Sequence, residues 1–266
     1  ETMSDAPATD AVLLEVAGGV ATITLNRPDA RNRLDGEGMA QLTAHLRSTA
    51  IDPAIRIVVL TGTGSTFCAG ADLAGAVAAE EGGFATGGTQ ALVDALPSML
   101  DHPKPIIGRI QGHVAGGGNG LVAACDIAVA TASARFAFSE VRLGLAPAII
   151  ATVCIPRMNP RDAAELLLTG ERVSADRVLR SGLITAVAED DALDASVDSY
   201  VQALLAGGPQ ALIETKDLLR RIPTMSRDEA FVWTAQMSAR LFTSEEARAG
   251  MTAFLSKTTA PWVPAD

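Results

Sequence analysis

The chain has 266 residues, 48% hydrophobic, 20% charged and 4% aromatic, which excludes whole-chain disorder and allows one large apolar core. Twenty-four glycines and few aromatics imply a core close-packed from Ala, Val, Leu and Ile, and collagen and coiled-coil patterns are absent. A formal net charge of −10 repels polyanions, so nucleic acid is not expected as a partner.

In chain order, Ala11 to Val16 and Val20 to Asn26 are β-prone runs split by Gly18-Gly19 and read as a hairpin. Met39, Leu42 and Leu46 recur at helical spacing between Gly36 and Ala50, and Ile55 to Leu60 reads as a buried strand. Gly82 to Gly88 reads as a mobile loop that could close over a substrate. A helix is expected from Gln90 to Leu100, a strand from Pro105 to Gln111, a helix from Gly117 to Ala124 and a strand from Ile127 to Ala130. This alternation predicts parallel βα units. After Ile184 to Val187 the pattern turns helical, over 192–205, 210–221, 227–241 and 244–256.

Cys68, Cys125 and Cys154 are widely spaced and form no Cys-x-x-Cys pair, so neither a disulfide framework nor a zinc knuckle is expected, and a reducing cytoplasm fits. The longest uncharged stretch, Ile110 to Cys125, is broken by polar residues and glycines, which argues against a membrane span. Gly62-Thr-Gly64-Ser-Thr-Phe67 puts Phe where a dinucleotide loop needs a small residue, and no Gly-Lys-Ser/Thr exists for a phosphate loop. Gly-x-Ser-x-Gly and His-Glu-x-x-His are also absent, and His45, His102 and His113 are not grouped as metal ligands.

What remains is chemistry from backbone amides and carboxylates. Phe67-Cys-Ala-Gly-Ala-Asp-Leu73 and Gly116-Gly-Gly-Asn-Gly120 each follow a strand and open a helix with small residues. Small side chains let a ligand approach the backbone, and helix starts leave N–H groups able to bind developing negative charge.

The pairing, order and spacing of these segments resemble the enoyl-CoA hydratase/isomerase, or crotonase, superfamily. The resemblance rests on Leu25-Asn-Arg-Pro-Asp-Ala-Arg-Asn32, the 67–73 segment, Lys104-Pro105, Gly112-His-Val-Ala-Gly-Gly-Gly118, Ala124-Cys-Asp-Ile127, Phe138-Ser-Glu-Val-Arg-Leu-Gly144 and Gly250-Met-Thr-Ala-Phe254. It implies an α/β fold, a spiral of ββα units over about residues 1–200, with a helical region at 201–266 that mediates homotrimers or hexamers. It also implies an acyl-CoA thioester as substrate and no metal or redox cofactor.

By motif position the resemblance makes the amides of Ala71 and Gly117 an oxyanion hole and Glu140 the proton-transfer residue. CoA and substrate contacts are implied for Arg27, Ala30, Arg31, Ala69, Asp72, Leu73, Gly116 and Gly120, with Phe254 and Lys257 reaching the adenosine end from a neighbouring subunit. Arg33 departs from the small residue usual after Asn32. The two-glutamate hydratases of this family carry a further acid where this chain has Gly120. With one carboxylate two reactions stay open: hydration of a 2-enoyl-CoA, towards which the patterns around Gly120 and Glu140 lean through their likeness to hydratases of branched or glutaconyl-type thioesters, and double-bond isomerisation with Glu140 as single proton shuttle. A non-catalytic acyl-CoA binder is the reading of another class. Asp72, Glu80, Glu81 and Asp94 are the other acids available to supply a second one, although Asp72 reads rather as a helix cap and the others as solvated charges.

Overall fold

The computed structural model describes residues 10–72 and 83–264, with the backbone alone for 83–89. Strands β1 (Val12–Ala17) and β2 (Val20–Leu25) form the expected antiparallel hairpin, and α1 (Gly36–Ile51) follows, capped by Asp35, whose side chain accepts from the Gly38 amide. From there the chain repeats one path. Strands β3 (Ile57–Gly62), β5 (Ile106–Ile110) and β7 (Ile127–Thr131) enter a large sheet, and their successors β4 (Thr66–Cys68), β6 (His113–Ala115) and β8 (Arg135–Ala137) enter a small one. Helices α2 (Gly83–Leu100) and α3 (Gly117–Ala124) carry the chain from one turn of this spiral to the next. With β9 (Arg172–Ser174) and β10 (Ala186–Ala188), the sheet orders are β1-β2-β3-β5-β7-β10 and β4-β6-β8-β9. The α/β spiral implied by the sequence is the one observed.

The large sheet is parallel from β2 onward and is covered on both faces, which is why Ile57-Val-Val-Leu60 is apolar without alternation. Val58 and Leu60 enter the main core, whereas Ile57 and Val59 face a second cluster with Ile107 and Val129. That cluster is closed by α7 (Leu193–Leu205), through Leu193, Val197, Val201 and Leu205 at four-residue spacing. The expected division after residue 200 thus falls inside a helix packed on the sheet. The segments not anticipated are the short strands of the small sheet and helices α4 (Ala148–Cys154), α5 (Pro160–Thr169) and α6 (Ala175–Ser181).

The helices α8 (Pro209–Arg221), α9 (Arg227–Phe242) and α10 (Glu245–Ser256) complete the chain. Two motif residues are structural anchors. Asp126 accepts from the Ile106 amide and from the buried Lys216 ammonium of α8 at 2.7 Å. The Lys104 ammonium, also buried, donates to the carbonyls of Thr49 and Asp52 at the end of α1. Gly83 to Gly88 corrects an expectation: these residues are the first turns of α2, not a loop, and Gly82 lies outside the described residues. Among the described residues no helix is long and apolar enough to cross a membrane.

Candidate active site

Strands β4 and β6 run parallel as neighbours, so the turns at their C-terminal ends lie side by side. The contact is close: a Cβ added at Gly70 would lie 2.8 Å from the Ala115 carbonyl oxygen and 3.4 Å from the Gly116 Cα. Gly70 also has φ +85° and Gly116 φ +49° with ψ −124°. Both conformations are open to glycine and strained for other residues. Gly70 therefore needs to be glycine for space and for backbone shape alike, and Gly116 for backbone shape.

The next residues are Ala71, exposed, and Gly117, the first residue of α3. Among the described residues neither amide donates to a protein acceptor, as expected of an N–H in the first turn of a helix. Both line a cavity of about 310 Å³ together with Leu34, Leu92, Glu140 and the 146–150 segment that opens α4.

Glu140 stands on the 3₁₀ turn Ser139–Leu143 that follows β8 and ends at Gly144 in the left-handed region. Its Oε1 lies 3.4 Å from the point where a Cβ on Gly116 would stand, and its Oε2 is buried without a hydrogen-bond partner. Phe136 and Phe138 beneath the turn are buried. Desolvation raises the Glu140 carboxyl above the ordinary carboxylate range. An acid with one unpartnered buried oxygen, a raised pKa and an apolar cavity in front of it is suited to proton transfer.

Gly120 lies one turn along α3 and is buried. A Cβ there would lie 2.6 Å from the Ile150 Cγ2 and 3.5 Å from the Leu96 Cδ1. The direction in which a second acid would project is filled by Ile150. Of the other acids considered, Asp94 is exposed on α2 and accepts from Gln90, away from the cavity lining, and Asp72 pairs with Arg33 at 3.4 Å. Glu80 and Glu81 lie outside the described residues, as does Leu73.

The residues expected around CoA are only partly gathered here. Arg27 is engaged by Asp35 and Glu37, so its charge is already matched within the chain. Arg31 is exposed, at φ +55°, and its carbonyl accepts from the Ala69 amide, which holds the 30–33 turn against the 69–71 turn. Ala30 and Ala69 are half-buried. Asn32 fixes this corner: it is buried, its Oδ1 accepts from the Arg27 amide and its Nδ2 donates to the carbonyls of Thr63 and Thr66. Phe254, exposed on α10, and Lys257, just after it at φ +53°, do not line the cavity. Sequence reasoning did not single out the apolar wall of Leu34, Leu92, Ile149 and Ile150. Its only signal was Pro147 opening an apolar run, as proline does at helix starts.

Among the described residues no group of His, Cys, Asp and Glu could hold a metal ion. All three cysteines are buried and unpaired, and burial pushes the Cys68 and Cys125 thiols up to about 12.

Comparison with known proteins bears on the family and the fold. The family model for enoyl-CoA hydratase/isomerase matches residues 15–264. The (E)-benzylidenesuccinyl-CoA hydratase of Thauera aromatica is 36% identical over 248 residues, spanning 91% of this chain and 95% of that one. The crotonyl-CoA hydratase of Syntrophomonas wolfei is 30% identical over 259 residues, spanning 95% and 97%. Among solved structures, an enoyl-CoA hydratase from Mycobacterium smegmatis is similar with a TM-score of 0.90 at 32% identity, over 95% of this chain and 98% of that one. Pseudomonas aeruginosa AtuE is similar with a TM-score of 0.91 at 32% identity, over 96% and 100%. With the family model matched across most of its length and the same fold in these neighbours, the chain belongs to the enoyl-CoA hydratase/isomerase family.

Proposed function

We propose that the protein is an enoyl-CoA hydratase, adding water reversibly across the 2,3 double bond of an enoyl-CoA thioester. The observation that carries this reading is that Ala71, Gly117 and Glu140 line one apolar cavity. The two amides receive the thioester oxygen and stabilise the enolate that forms as water attacks C3. Glu140, as carboxylate, accepts the proton of the attacking water and hands it to C2, so one side chain carries the proton from oxygen to carbon and ends as it began. The chemistry so written uses no group beyond the protein, water and the CoA thioester. Relatives named as hydratases support it.

A second reading, isomerisation with Glu140 shuttling a proton between C2 and C4, is favoured by one observation. The position of a second acid is Gly120, and Ile150 fills the space in front of it. An ultraviolet assay at the enone-thioester absorbance separates the two, with crotonyl-CoA, 3-methylglutaconyl-CoA and a 3-enoyl-CoA offered to wild type and Glu140→Ala. Loss of conjugated signal from a 2-enoyl substrate, abolished in Glu140→Ala, is the expected result. Gain of signal from the 3-enoyl substrate makes the protein an isomerase, and silence on all three with acyl-CoA still bound makes it a binder.

The proposal extends to a homo-oligomer, trimer or hexamer, in the cytoplasm. The assembly is supported by Phe231, Val232 and Phe242 on α9 and Phe254 and Leu255 on α10, all exposed apolar side chains. Sedimentation velocity tests the assembly.

A further inference from the structure

Each amide of the oxyanion hole shares a peptide plane with the carbonyl of the glycine before it, so whatever holds that carbonyl aims the N–H. At the first turn the Gly70 carbonyl accepts from the Leu34 amide at 2.8 Å. At the second turn, the Gly116 carbonyl accepts twice, from the Asn119 amide at 2.9 Å and from the Asn119 Nδ2 at 3.2 Å. The same Nδ2 donates at 2.9 Å to the carbonyl of Ala137, the last residue of β8, which also accepts from the Gly116 amide at 3.1 Å. Asn119 is fully buried, and its Oδ1 has no partner. A buried amide with an unmet acceptor is costly, and an apolar residue would serve the packing of α3 without that cost.

We infer that Asn119 is a positioning residue for the reaction proposed above, orienting the Gly117 N–H and tying its turn to the strand that leads into Glu140. The side chain thus couples the group that stabilises the enolate oxygen to the group that moves the proton. Gly116 needs this hold because its conformation lies outside the range of ordinary residues, and a turn of that shape is fixed by bonds rather than by sterics.

The test compares Asn119→Ala with Asn119→Ser. Both remove similar volume, but a serine at this helical position donates to the carbonyl three residues back, which is that of Gly116. The readouts are kcat, the Kd of 4-dimethylaminocinnamoyl-CoA and the red shift of its absorbance on binding, which reports how strongly its carbonyl is polarised. In Asn119→Ala, the red shift shrinks and kcat falls about ten- to a hundred-fold with Kd little changed, as for a modest misplacement of a reacting group. Asn119→Ser recovers part of both. Thr131→Val, which removes another buried unpartnered oxygen far along β7, keeps the wild-type shift. Equal losses in Asn119→Ala and Asn119→Ser, or a wild-type shift in folded Asn119→Ala, overturn the inference. A wild-type protein that binds the thioester with no red shift overturns the oxyanion-hole reading itself, and the role of Asn119 with it.

Discussion

Gly120 and Ile150 should behave as one coupled pair. In wild type, a methyl at position 120 would stand 2.6 Å from the Ile150 Cγ2 and 3.2 Å from its Cβ. Both residues are buried between α3 and α4, so the overlap is relieved only by moving packed groups. Overpacking of this kind costs about 1–3 kcal/mol. Alanine in place of glycine in a helix interior returns about 1 kcal/mol, so Gly120→Ala loses about 0–2 kcal/mol overall. Ile150→Ala removes the Cγ2 and leaves a cavity, at about 2–5 kcal/mol. In that background the 2.6 Å overlap is gone and the 3.2 Å contact with the retained Cβ eases with a small shift, so Gly120→Ala becomes stabilising by up to about 1 kcal/mol, giving a coupling of about 1–3 kcal/mol between the two sites. Urea unfolding of the four proteins by far-ultraviolet circular dichroism measures it. Equal costs of Gly120→Ala in both backgrounds would refute the argument that Ile150 occupies the second-acid direction. The functional corollary is that Gly120→Glu alone supplies no working second acid, and the side chain gains access only when Ile150 is shortened.

Three other expectations follow from the site and its supports. Gly117→Pro removes one donor of the proposed oxyanion hole at a helical first position that tolerates proline, whereas Gly117→Ala brings a Cβ to the same 2.8 Å contact with Leu34 but keeps the N–H; kcat should be about 10²–10³-fold lower in the proline variant than in the alanine one. Burial raises the Glu140 carboxyl above its ordinary 4.5, so its ionised form opposes folding at neutral pH, and that opposition vanishes once the unfolded carboxyl is also protonated. Glu140→Gln should therefore raise the melting temperature at pH 7 and leave it unchanged well below pH 4.5, while kcat/KM of wild type falls on acidification at a pH above the usual carboxylate range. Asp126→Ala strands the buried Lys216 ammonium and should destabilise by about 3–5 kcal/mol, read by thermal unfolding, with no change in the acyl-CoA red shift of the protein that remains folded.

The parts of the molecule that were legible in the sequence are those whose signal is local. The hairpin around Gly18-Gly19, the unbroken Ile57-Val-Val-Leu60 strand and the α7 stripe each carry their own periodicity. The small sheet was not legible, because β4, β6, β8 and β9 have three residues each, too few for an alternation to register. Those short strands nevertheless set the site, since the β4–β6 pairing brings the Gly70 and Gly116 turns into contact. Gly83 to Gly88 misled for the opposite reason: glycine frequency reads as a loop, yet 83–88 is helical in spite of glycine's low helix propensity. The apolar wall opposite Glu140 is assembled from three separate segments, around Leu34, around Leu92 and at 149–150, a proximity that spacing along the chain does not encode.

The same topology supports the proposed hydration by a single carboxylate. Asn119 donates from the first turn of α3 to the carbonyl of Ala137, three residues before Glu140, and Gly116 donates to that same oxygen. The amide donor and the acid are therefore held on one rigid junction of two neighbouring spiral turns rather than on independent loops. In a two-acid arrangement, a second side chain would project from α3 one turn further along, where Ile150 now packs. Replacing that acid with a buried glycine and an isoleucine closes the α3 face of the cavity with hydrocarbon and removes a second carboxylate whose charge would perturb Glu140. What is left is a single base with an unmet oxygen, desolvated, beside fixed donors. That arrangement favours a proton carried along one face of the acyl chain. Hydration catalysed in this way should be stereospecific, with hydrogen and hydroxyl delivered to the same face. Deuterium incorporation from heavy water at C2, analysed by NMR of the product, tests this, and a product of opposite-face addition would show that water is activated by a group other than Glu140.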